Sequence, residues 1–274
     1  MFVEVDHQAS RNTGQIKIHP QTSFAGMRAA GRVAAECLDM LVPHVKPGVT
    51  TQALDDLARE FVFDAGAMPA CLFYRGYRHT ICTSLNHVVC HGIPGPRVLR
   101  EGDIVNIDVT VIVDGWHGDT SRMYAVGEPR RRDRLLMDVT YAAMMRGIEA
   151  IRPGATLGDV GYAIQRHAEA ERMSIVRDFC GHGLGRVFHD APNILHYGKP
   201  RDGVVLKSGM MFTVEPMVNA GGRDVKVLND GWTAVTKDKQ ATAQFEHSVG
   251  VTETGVEIFT LSPKGLHQPH QTPG

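Results

Sequence analysis

The sequence has no long apolar run and no surplus of either charge. Its 274 residues include 29 basic and 30 acidic residues, which leaves a formal net charge of −1. No stretch reaches the roughly 18 apolar residues that a membrane-spanning helix needs. The first fifteen residues also lack the apolar segment of a secretory signal. We therefore expect a cytoplasmic protein without a membrane partner.

The balanced charge also bears on nucleic-acid binding. Proteins that follow the phosphate backbone need a surplus of lysine and arginine, and this chain has none. A short basic run contains Arg130, Arg131, Arg132 and Arg134. Such runs are more often solvated loops than binding sites, and we interpret this one as a loop. No nucleic-acid specificity is expected.

Cysteines are few, and they do not occur in pairs with metal-site spacing. There are five of them, an odd number, and no CxxC motif: Cys37, Cys71, Cys82, Cys90 and Cys180. This excludes a simple disulfide framework and a zinc ribbon. Reduced thiols that line a core or a pocket fit the pattern better.

Two amphipathic helices are predicted ahead of a β-rich stretch. Apolar residues recur three and four apart over residues 23–41 and again over residues 50–65. Alternating residues then predict strands at 103–113 and 116–126. The Asp114-Gly115 pair between these strands favours a tight hairpin.

Short matches suggest that the chain is an internal duplication. Residues 46–50 resemble 152–156 at an offset of 106, and residues 98–102 resemble 205–209 at an offset of 107. Coincidence is the alternative, because a Pro-Gly-x-Thr motif alone only marks a turn before a helix. The agreement of the offsets favours two related halves, each with the order helix, helix, strand.

The predicted domain boundaries follow from these patterns. Length alone places the chain near two domains, but the repeat favours a single catalytic domain over residues 21–261. Its halves cover about 21–128 and 129–261, after an N-terminal extension of residues 1–20. Residues 262–274 hold three of the 14 prolines and one charge, which predicts a disordered tail.

Carboxylates interrupt the apolar strands of both halves. The offset of 107 relates Asp108 to Glu215. Hairpin pairing across Asp114-Gly115 places Asp108 opposite Ser121 and Asp119 opposite Thr110. The carboxylates of Asp108 and Asp119 would then share one face, roughly 7 Å apart at the backbone.

A second polar strand face is predicted in the other half. It contains Glu246 together with Thr242, Gln244 and Ser248. Solvated acids are the ordinary alternative for all these carboxylates. If the four acids converge, their repulsion requires a cation, and two divalent ions would balance their formal charge of −4.

Glycine-flanked histidines precede the acidic strands. His91 and His182 occupy equivalent places in the two halves, and His189 follows His182 by seven residues. A single histidine is more often structural than functional, but the repetition favours a site. Oxygen ligands with one or two imidazoles suit Mn, Fe, Co or Zn. Two such ions would activate a water for hydrolysis.

Several motifs together resemble those of the type I methionine aminopeptidases. The matching residues include HGIP (91–94), NIDV (106–109), HGDTS (117–121), GHGLGRVFH (181–189), EPM (215–217) and QFEH (244–247). The resemblance covers nearly all of residues 21–261. It implies the α/β (α+β) pita-bread fold, in which a pseudo-twofold pair of helix-helix-strand halves surrounds a central, largely antiparallel curved sheet.

The resemblance also implies the site residues. Two divalent ions (Co, Mn, Fe or Zn) would be held by Asp108, Asp119, His182, Glu215 and Glu246, with Asp119 and Glu246 shared by both ions. His91, His189 and Glu215 would be catalytic, and both histidines would contact the substrate. The repeat alone would instead predict His91 as a metal ligand, because it occupies the place of His182 in the other half. The methionine pocket would consist of Cys71, Tyr74, Tyr77, Cys82, Phe188 and Trp232.

The activity that the resemblance implies is removal of the N-terminal methionine from nascent chains when the second residue is small. A water held between the metals would attack the methionine carbonyl. The enzyme would be a monomer, with ribosome association as a further expectation. The alternatives are an Xaa-Pro aminopeptidase of the same fold and a pita-bread protein that binds without catalysis.

Overall fold

The computed structural model describes residues 1–4 and 13–269. Within them no helix combines the length and the apolar character that a membrane span requires. The helices are α1 (Phe24–Leu41), α2 (Thr51–Asp64), α3 (Arg131–Glu149) and α4 (Leu157–Ala170). The strands are β1 (Phe2–Glu4), β2 (Ile16–Ile18), β3 (Met68–Pro69), β4 (Ile81–Leu85), β5 (Val88–Cys90), β6 (Ile104–Val113), β7 (Trp116–Ala125), β8 (Ser174–Ile175), β9 (Gly181–Gly183), β10 (Asp190–Ile194), β11 (Met211–Val214), β12 (Met217–Asn219), β13 (Val225–Val227), β14 (Ala234–Thr236), β15 (Thr242–Gln244), β16 (His247–Val251) and β17 (Val256–Ile258).

The first helix pair packs on the predicted hairpin. Helix α1 buries Met27, Ala34 and Leu38, as the three-and-four spacing of its apolar residues requires. It approaches β7 so closely that a Cβ at Gly118 would collide with the backbone of Ala30. Only glycine permits this contact, and the hairpin is thereby held against the helix.

Strands β6 and β7, of ten residues each, form a regular hairpin. The turn residues Asp114 and Gly115 both have positive φ angles, 49° and 81°, as a tight primed turn requires. Asp108 pairs with Ser121, and Thr110 pairs with Asp119. The predicted register is therefore confirmed.

The two halves meet along their sheets. Strands β3 and β4 pair with β6, and a five-stranded sheet in the second half has the order β10-β9-β11-β16-β17. An isolated antiparallel bridge between Ser121 and Glu246 joins β7 to the second half. One apolar core lies under α1 and α2, and another lies under α3 and α4.

Equivalent contacts recur in both halves. Thr50 caps α2 and forms an isolated bridge with Val98, while Thr156 caps α4 and forms one with Val205. These pairs are related by the offsets that the sequence matches gave. The expected order of two helices followed by strands is present in each half, and it places the two sheets side by side.

Two regions differ from the expectations. The basic run at 130–134 is not a loop, because it starts α3, where Arg130 pairs with Asp133. Residues 262–269 also depart from the predicted disordered tail. Ser262 is buried and donates its hydroxyl proton to Asp39, which also pairs with Arg122. The remaining tail, residues 270–274, lies outside the described residues.

Candidate metal centre and substrate cavity

The acidic residues reach the junction of the halves from two kinds of backbone. Asp108 and Asp119 lie inside the β6–β7 hairpin, as predicted. Glu215 and Glu246 do not lie inside strands: each occupies a break, between β11 and β12 and between β15 and β16. Pro216 follows Glu215 and has no N–H with which to continue a ladder. At such breaks the side chains turn inward between two sheets.

Three of the predicted ligands form a close cluster. One ligand atom from each of Asp119, His182 and Glu246 lies within 4.8 Å of the others. The Nε2 atom of His182 is 3.5 Å from Oδ2 of Asp119 and 3.7 Å from Oε1 of Glu215. Asp108 lies near enough to Asp119 and Glu215 for their charges to affect its pKa.

The tautomer of His182 follows from its contacts. Nδ1 lies 3.0 Å from the carbonyl oxygen of Gly183, and a carbonyl only accepts, so Nδ1 carries the proton. Nε2 therefore is the ring nitrogen that faces the carboxylates, as the predicted ligand role of His182 requires. The glycines beside His182 are required, because a Cβ at Gly183 would collide with the carbonyl of Ala191.

Hydrogen bonds hold the Glu215 carboxylate in place. The hydroxyl of Thr213 donates to Oε1 of Glu215 at 2.7 Å and accepts from the backbone N–H of His182 at 3.0 Å. The side-chain amide of Gln244 donates to Oε2 of Glu215 at 3.3 Å. Thr213 thus links two of the predicted ligands.

The electrostatics of the cluster fit a bound cation. Burial, followed by repulsion from neighbouring carboxylates, raises the pKa values of Asp108 and Glu246 well above their ordinary range. Burial likewise raises the pKa of Glu215 to about 7. Burial opposes the charge on His182, but hydrogen bonding to Asp119 and the charge of Glu215 raise its pKa to about 9. An oxygen-rich set with one imidazole suits hard or borderline divalent ions.

The other two histidines lie beside the cluster. The ring of His189 is 4.2 Å from that of His182 and stacks on Tyr74 at 5.2 Å. Burial, with the nearby His182, lowers the pKa of His189 to about 3, so this ring is neutral at pH 7. His91 faces Trp232 at 6.1 Å, and burial lowers its pKa as well.

One cavity of about 330 Å³ contains the whole predicted set. An aromatic and thiol wall lines part of the same cavity, with Tyr77 packed edge-on against Trp232 at 5.0 Å and Tyr74 against Phe188 at 4.9 Å. The predicted residues that line the cavity are Cys71, Tyr74, Tyr77, Cys82, His91, Asp108, Asp119, His182, Phe188, His189, Glu215, Trp232 and Glu246. The structure therefore brings every predicted site residue together.

Comparison with known proteins agrees with this arrangement. The sequence profile of metallopeptidase family M24 matches residues 25–253. The methionine aminopeptidase of Rickettsia prowazekii is 60% identical over 255 residues, which cover 93% of this chain and 98% of that protein. The chain belongs to the methionine aminopeptidases of family M24. It is therefore a metal-dependent hydrolase, and the family resemblance of its motifs is confirmed.

Solved structures of this family agree in fold. The crystal structure of the R. prowazekii methionine aminopeptidase superposes with a TM-score of 0.89 at 59% identity, covering 90% of this chain and all of that one. An X-Pro aminopeptidase from Thermotoga maritima has a TM-score of 0.70 at 18% identity, covering 89% of this chain and 61% of that one, and shows the fold alone. The predicted pita-bread fold is confirmed.

Three residues that contact Glu215 were given no role by the sequence motifs of this methionine aminopeptidase chain. Thr213 and Gln244 each stand two positions before a predicted ligand, on the same strand face, and that spacing is a usable signal. His196, whose Nε2 accepts from the backbone N–H of Glu215 at 3.1 Å, comes from a distant loop and leaves no such signal. These residues hold Glu215 in place by hydrogen bonds to its carboxylate or its backbone.

Proposed function

We propose that this enzyme removes the N-terminal methionine from nascent proteins when the second residue is small. The observation that carries the proposal is one cavity that is lined both by an acidic and imidazole cluster and by a wall of aromatic rings and thiols. An apolar, polarisable wall suits the flexible thioether of methionine. The facing cluster suits hydrolysis of the adjoining amide.

The metal site consists of two divalent ions, chosen from Co, Mn, Fe and Zn. Its ligands are Asp108, Asp119, His182, Glu215 and Glu246. Two such ions match the formal charge of the four carboxylates, and burial, followed by repulsion from neighbouring carboxylates, raises the pKa values of Asp108 and Glu246. The charge of Asp119 raises the pKa values of Asp108, Glu215 and Glu246, which supports a place for Asp119 at the centre of the ligand set; with Glu246 it would be shared by both ions. When bound, the ions supply an acidified water and polarise the substrate carbonyl.

The carboxylate of Glu215 moves the proton in this reaction. It accepts a proton from the attacking water and passes it to the nitrogen of the leaving amine. Hydrogen bonds from Thr213 and Gln244 hold both of its oxygens in a fixed orientation. A carboxylate held in this way needs little reorganisation during proton transfer.

His189 stabilises the oxygen that becomes negative during the attack. Its neutral imidazole donates one N–H to the carbonyl oxygen of the substrate methionine, as an oxyanion donor does. Its position between Tyr74 and His182 supports this role. His91 contacts the substrate near the scissile amide and assists the departing amine.

The methionine side chain is bound by the aromatic and thiol wall. Its members are Cys71, Tyr74, Tyr77, Cys82, Phe188 and Trp232. Burial of the side chain there excludes water from one side of the reacting amide. A bulky second residue would crowd the mouth of the cavity, which is why a small one is required.

The wider assignments rest on the same site. The enzyme is a monomer with residues 21–261 as one catalytic domain, as the resemblance of its motifs implies. Its N-terminal substrates appear first on chains that leave the ribosome, so the enzyme acts in the cytoplasm, and an association with ribosomes follows from the substrate. The charge balance supports no nucleic-acid specificity.

An Xaa-Pro aminopeptidase is the second candidate, because it shares the fold. A binding protein without activity is less consistent with a cluster that retains all five ligand residues. The test compares release of the first residue from Met-Ala-Ser, Met-Leu-Ser and Ala-Pro-Ser peptides by metal-reconstituted enzyme. We expect fast turnover of Met-Ala-Ser and slow turnover of the other two peptides. Preference for Ala-Pro-Ser would overturn the proposal, and failure of all three would support the binding protein.

A further inference from the structure

A lysine from the N-terminal strand is buried beside the cavity. Lys17 lies in β2 between Ile16 and Ile18, and its ammonium forms an ion pair with the carboxylate of Asp190. The two side chains are only 7% and 5% exposed. A buried charge is tolerated only with a partner, and this ion pair lets both charges be buried.

Asp190 directly follows His189 in the chain. It is the first residue of β10 and pairs with Gly183 of β9, the residue after His182. One oxygen of its carboxylate faces Lys17, and the other accepts the backbone N–H of Ala191 at 2.9 Å. The carboxylate therefore holds the Asp190–Ala191 peptide unit, which lies one residue beyond His189.

The pairing of β10 with β9 is irregular at this point. The register shifts between Asp190 and Asn193, so the ladder of β10 with β9 is interrupted directly after the pair that Asp190 forms with Gly183. Side-chain contacts therefore add to the single ladder pair in holding the backbone beside His189. The ion pair with Lys17 is such a contact, and it reaches this segment from outside the sheet.

The strand that carries Lys17 is anchored independently of it. Ile16 is part of the apolar core of the second half. The backbone N–H of His19 donates to the carbonyl of Gly209 at 2.9 Å, and Gln21 donates to Ser208 at 3.0 Å. Lys17 is thus presented to Asp190 from a fixed strand.

We propose that Lys17 is a positioning residue for His189, acting through its buried ion pair with Asp190. The inference rests on the proposed catalytic role of His189 and goes beyond it, because it gives the N-terminal strand a part in the reaction. Lys17 does not touch the substrate. It holds the peptide unit that aims the imidazole of His189 into the cavity.

The test compares Lys17→Met with Lys207→Met in metal-loaded enzyme of equal metal content. Lys207 is the matched control, because its ammonium lies over the ring of Phe2 at 4.0 Å and attaches the same N-terminal region without contacting Asp190. For Lys17→Met we expect kcat on Met-Ala-Ser to fall by about 10- to 100-fold, the effect of misplacing a catalytic group by about 1 Å. KM should stay close to the wild-type value, Lys17→Arg should restore kcat, and Lys207→Met should keep it.

A second background separates positioning from general destabilisation. In His189→Ala enzyme, Lys17→Met should cause no further loss of kcat, since residues that act as a unit are not additive. If Lys17→Met does not fold, Lys17→Met/Asp190→Asn removes both charges and should show the same kcat loss with a restored melting temperature. The imidazole NMR signals of His189 should shift in both variants and not in Lys207→Met.

The outcomes distinguish the two proposals. If His189→Ala lowers kcat but Lys17→Met and the double variant do not, the positioning role is wrong and the proposed function stands. An equal loss of kcat from Lys17→Met in the wild-type and His189→Ala backgrounds would also overturn the positioning role. If His189→Ala keeps full kcat, the catalytic role of His189 is wrong and the positioning proposal is wrong with it.

Discussion

The carboxylate of Asp119 meets the imidazole of His182 across the junction of the two halves, with Oδ2 3.5 Å from Nε2. Asp119 comes from the β6–β7 hairpin of the first half, and His182 comes from β9 of the second. Neither sheet alone supplies the cluster. The docking of the two sheets, which the Ser121–Glu246 bridge marks, therefore creates the site.

Loss of Glu246 should abolish metal binding and activity together. We expect Glu246→Gln to lower kcat/KM on Met-Ala-Ser by more than the about 10- to 100-fold that loss of an outer-shell partner costs. Metal content after desalting should fall in parallel. The exposed Glu253→Gln is the control. Full activity with full metal content in Glu246→Gln would remove this residue from the ligand set.

Thr213 should matter although it is not a predicted ligand. Its hydroxyl joins Glu215 to the backbone of His182, so Thr213→Val leaves both without that support. We expect metal affinity or kcat to fall by about 10- to 100-fold. Thr140→Val is the matched control, because that buried hydroxyl donates only to Leu136 in its own helix. Similar losses in both variants would show a general packing effect instead.

Trp232 should contribute to methionine selectivity. Removing its ring in Trp232→Ala takes away one side of the apolar wall. Burial of a side chain of methionine size contributes about 1.5–3 kcal/mol to binding. We expect Trp232→Ala to lose part of this free energy, which lowers kcat/KM by about tenfold. The measurement compares Met-Ala-Ser with norleucine-Ala-Ser, beside the surface variant Tyr162→Ala. An unchanged kcat/KM would place the methionine pocket elsewhere.

Metal removal should make stability sensitive to pH. Without metal, the pKa of Glu215 is raised to about 7 and that of His182 to about 9. A group with a raised pKa stabilises the fold below its unfolded pKa, and this stabilisation is lost as pH rises through the folded value. The metal-free enzyme should therefore lose this stabilisation gradually between about pH 4.5, the unfolded pKa of glutamate, and about pH 9, the folded pKa of His182.

Urea denaturation at pH 5.5 and pH 8.5, with and without bound metal, measures this effect. The metal-free enzyme should lose stability relative to the loaded enzyme as pH rises, and tighter metal binding by deprotonated ligands acts in the same direction. The increase in the free energy of unfolding that bound metal causes should thus be larger at pH 8.5 than at pH 5.5. An equal increment at both pH values would contradict the assigned charge states.

The hairpin was predictable from sequence because its determinants are local. The Asp114-Gly115 turn fixes the register, and the register places Asp108 and Asp119 on one face. The breaks at Glu215 and Glu246 were not predictable, because alternation of polar residues continues through a point where the backbone passes from one sheet to another. The order of Ser262 was missed for a similar reason: its partner, Asp39, lies far away in the sequence.

The motifs predicted the site more completely than periodicity did. The repeat alone made His91 the equivalent of His182, but the three-residue cluster found among the described residues contains only His182. The ion pair of Lys17 with Asp190 had no signal in the sequence, since it joins β2 near the N-terminus to the start of β10 in the second half. Such contacts depend on tertiary packing.

The most direct test of the account is a metal titration of enzyme stripped of metal. Methionine release from Met-Ala-Ser is followed while Mn²⁺ or Co²⁺ is added in known equivalents, and bound metal is measured in the same samples. The account predicts no turnover in the stripped enzyme, activity that rises with occupancy of two ions per chain, and no rise in Glu246→Gln. Full turnover by enzyme shown to contain no metal would contradict it.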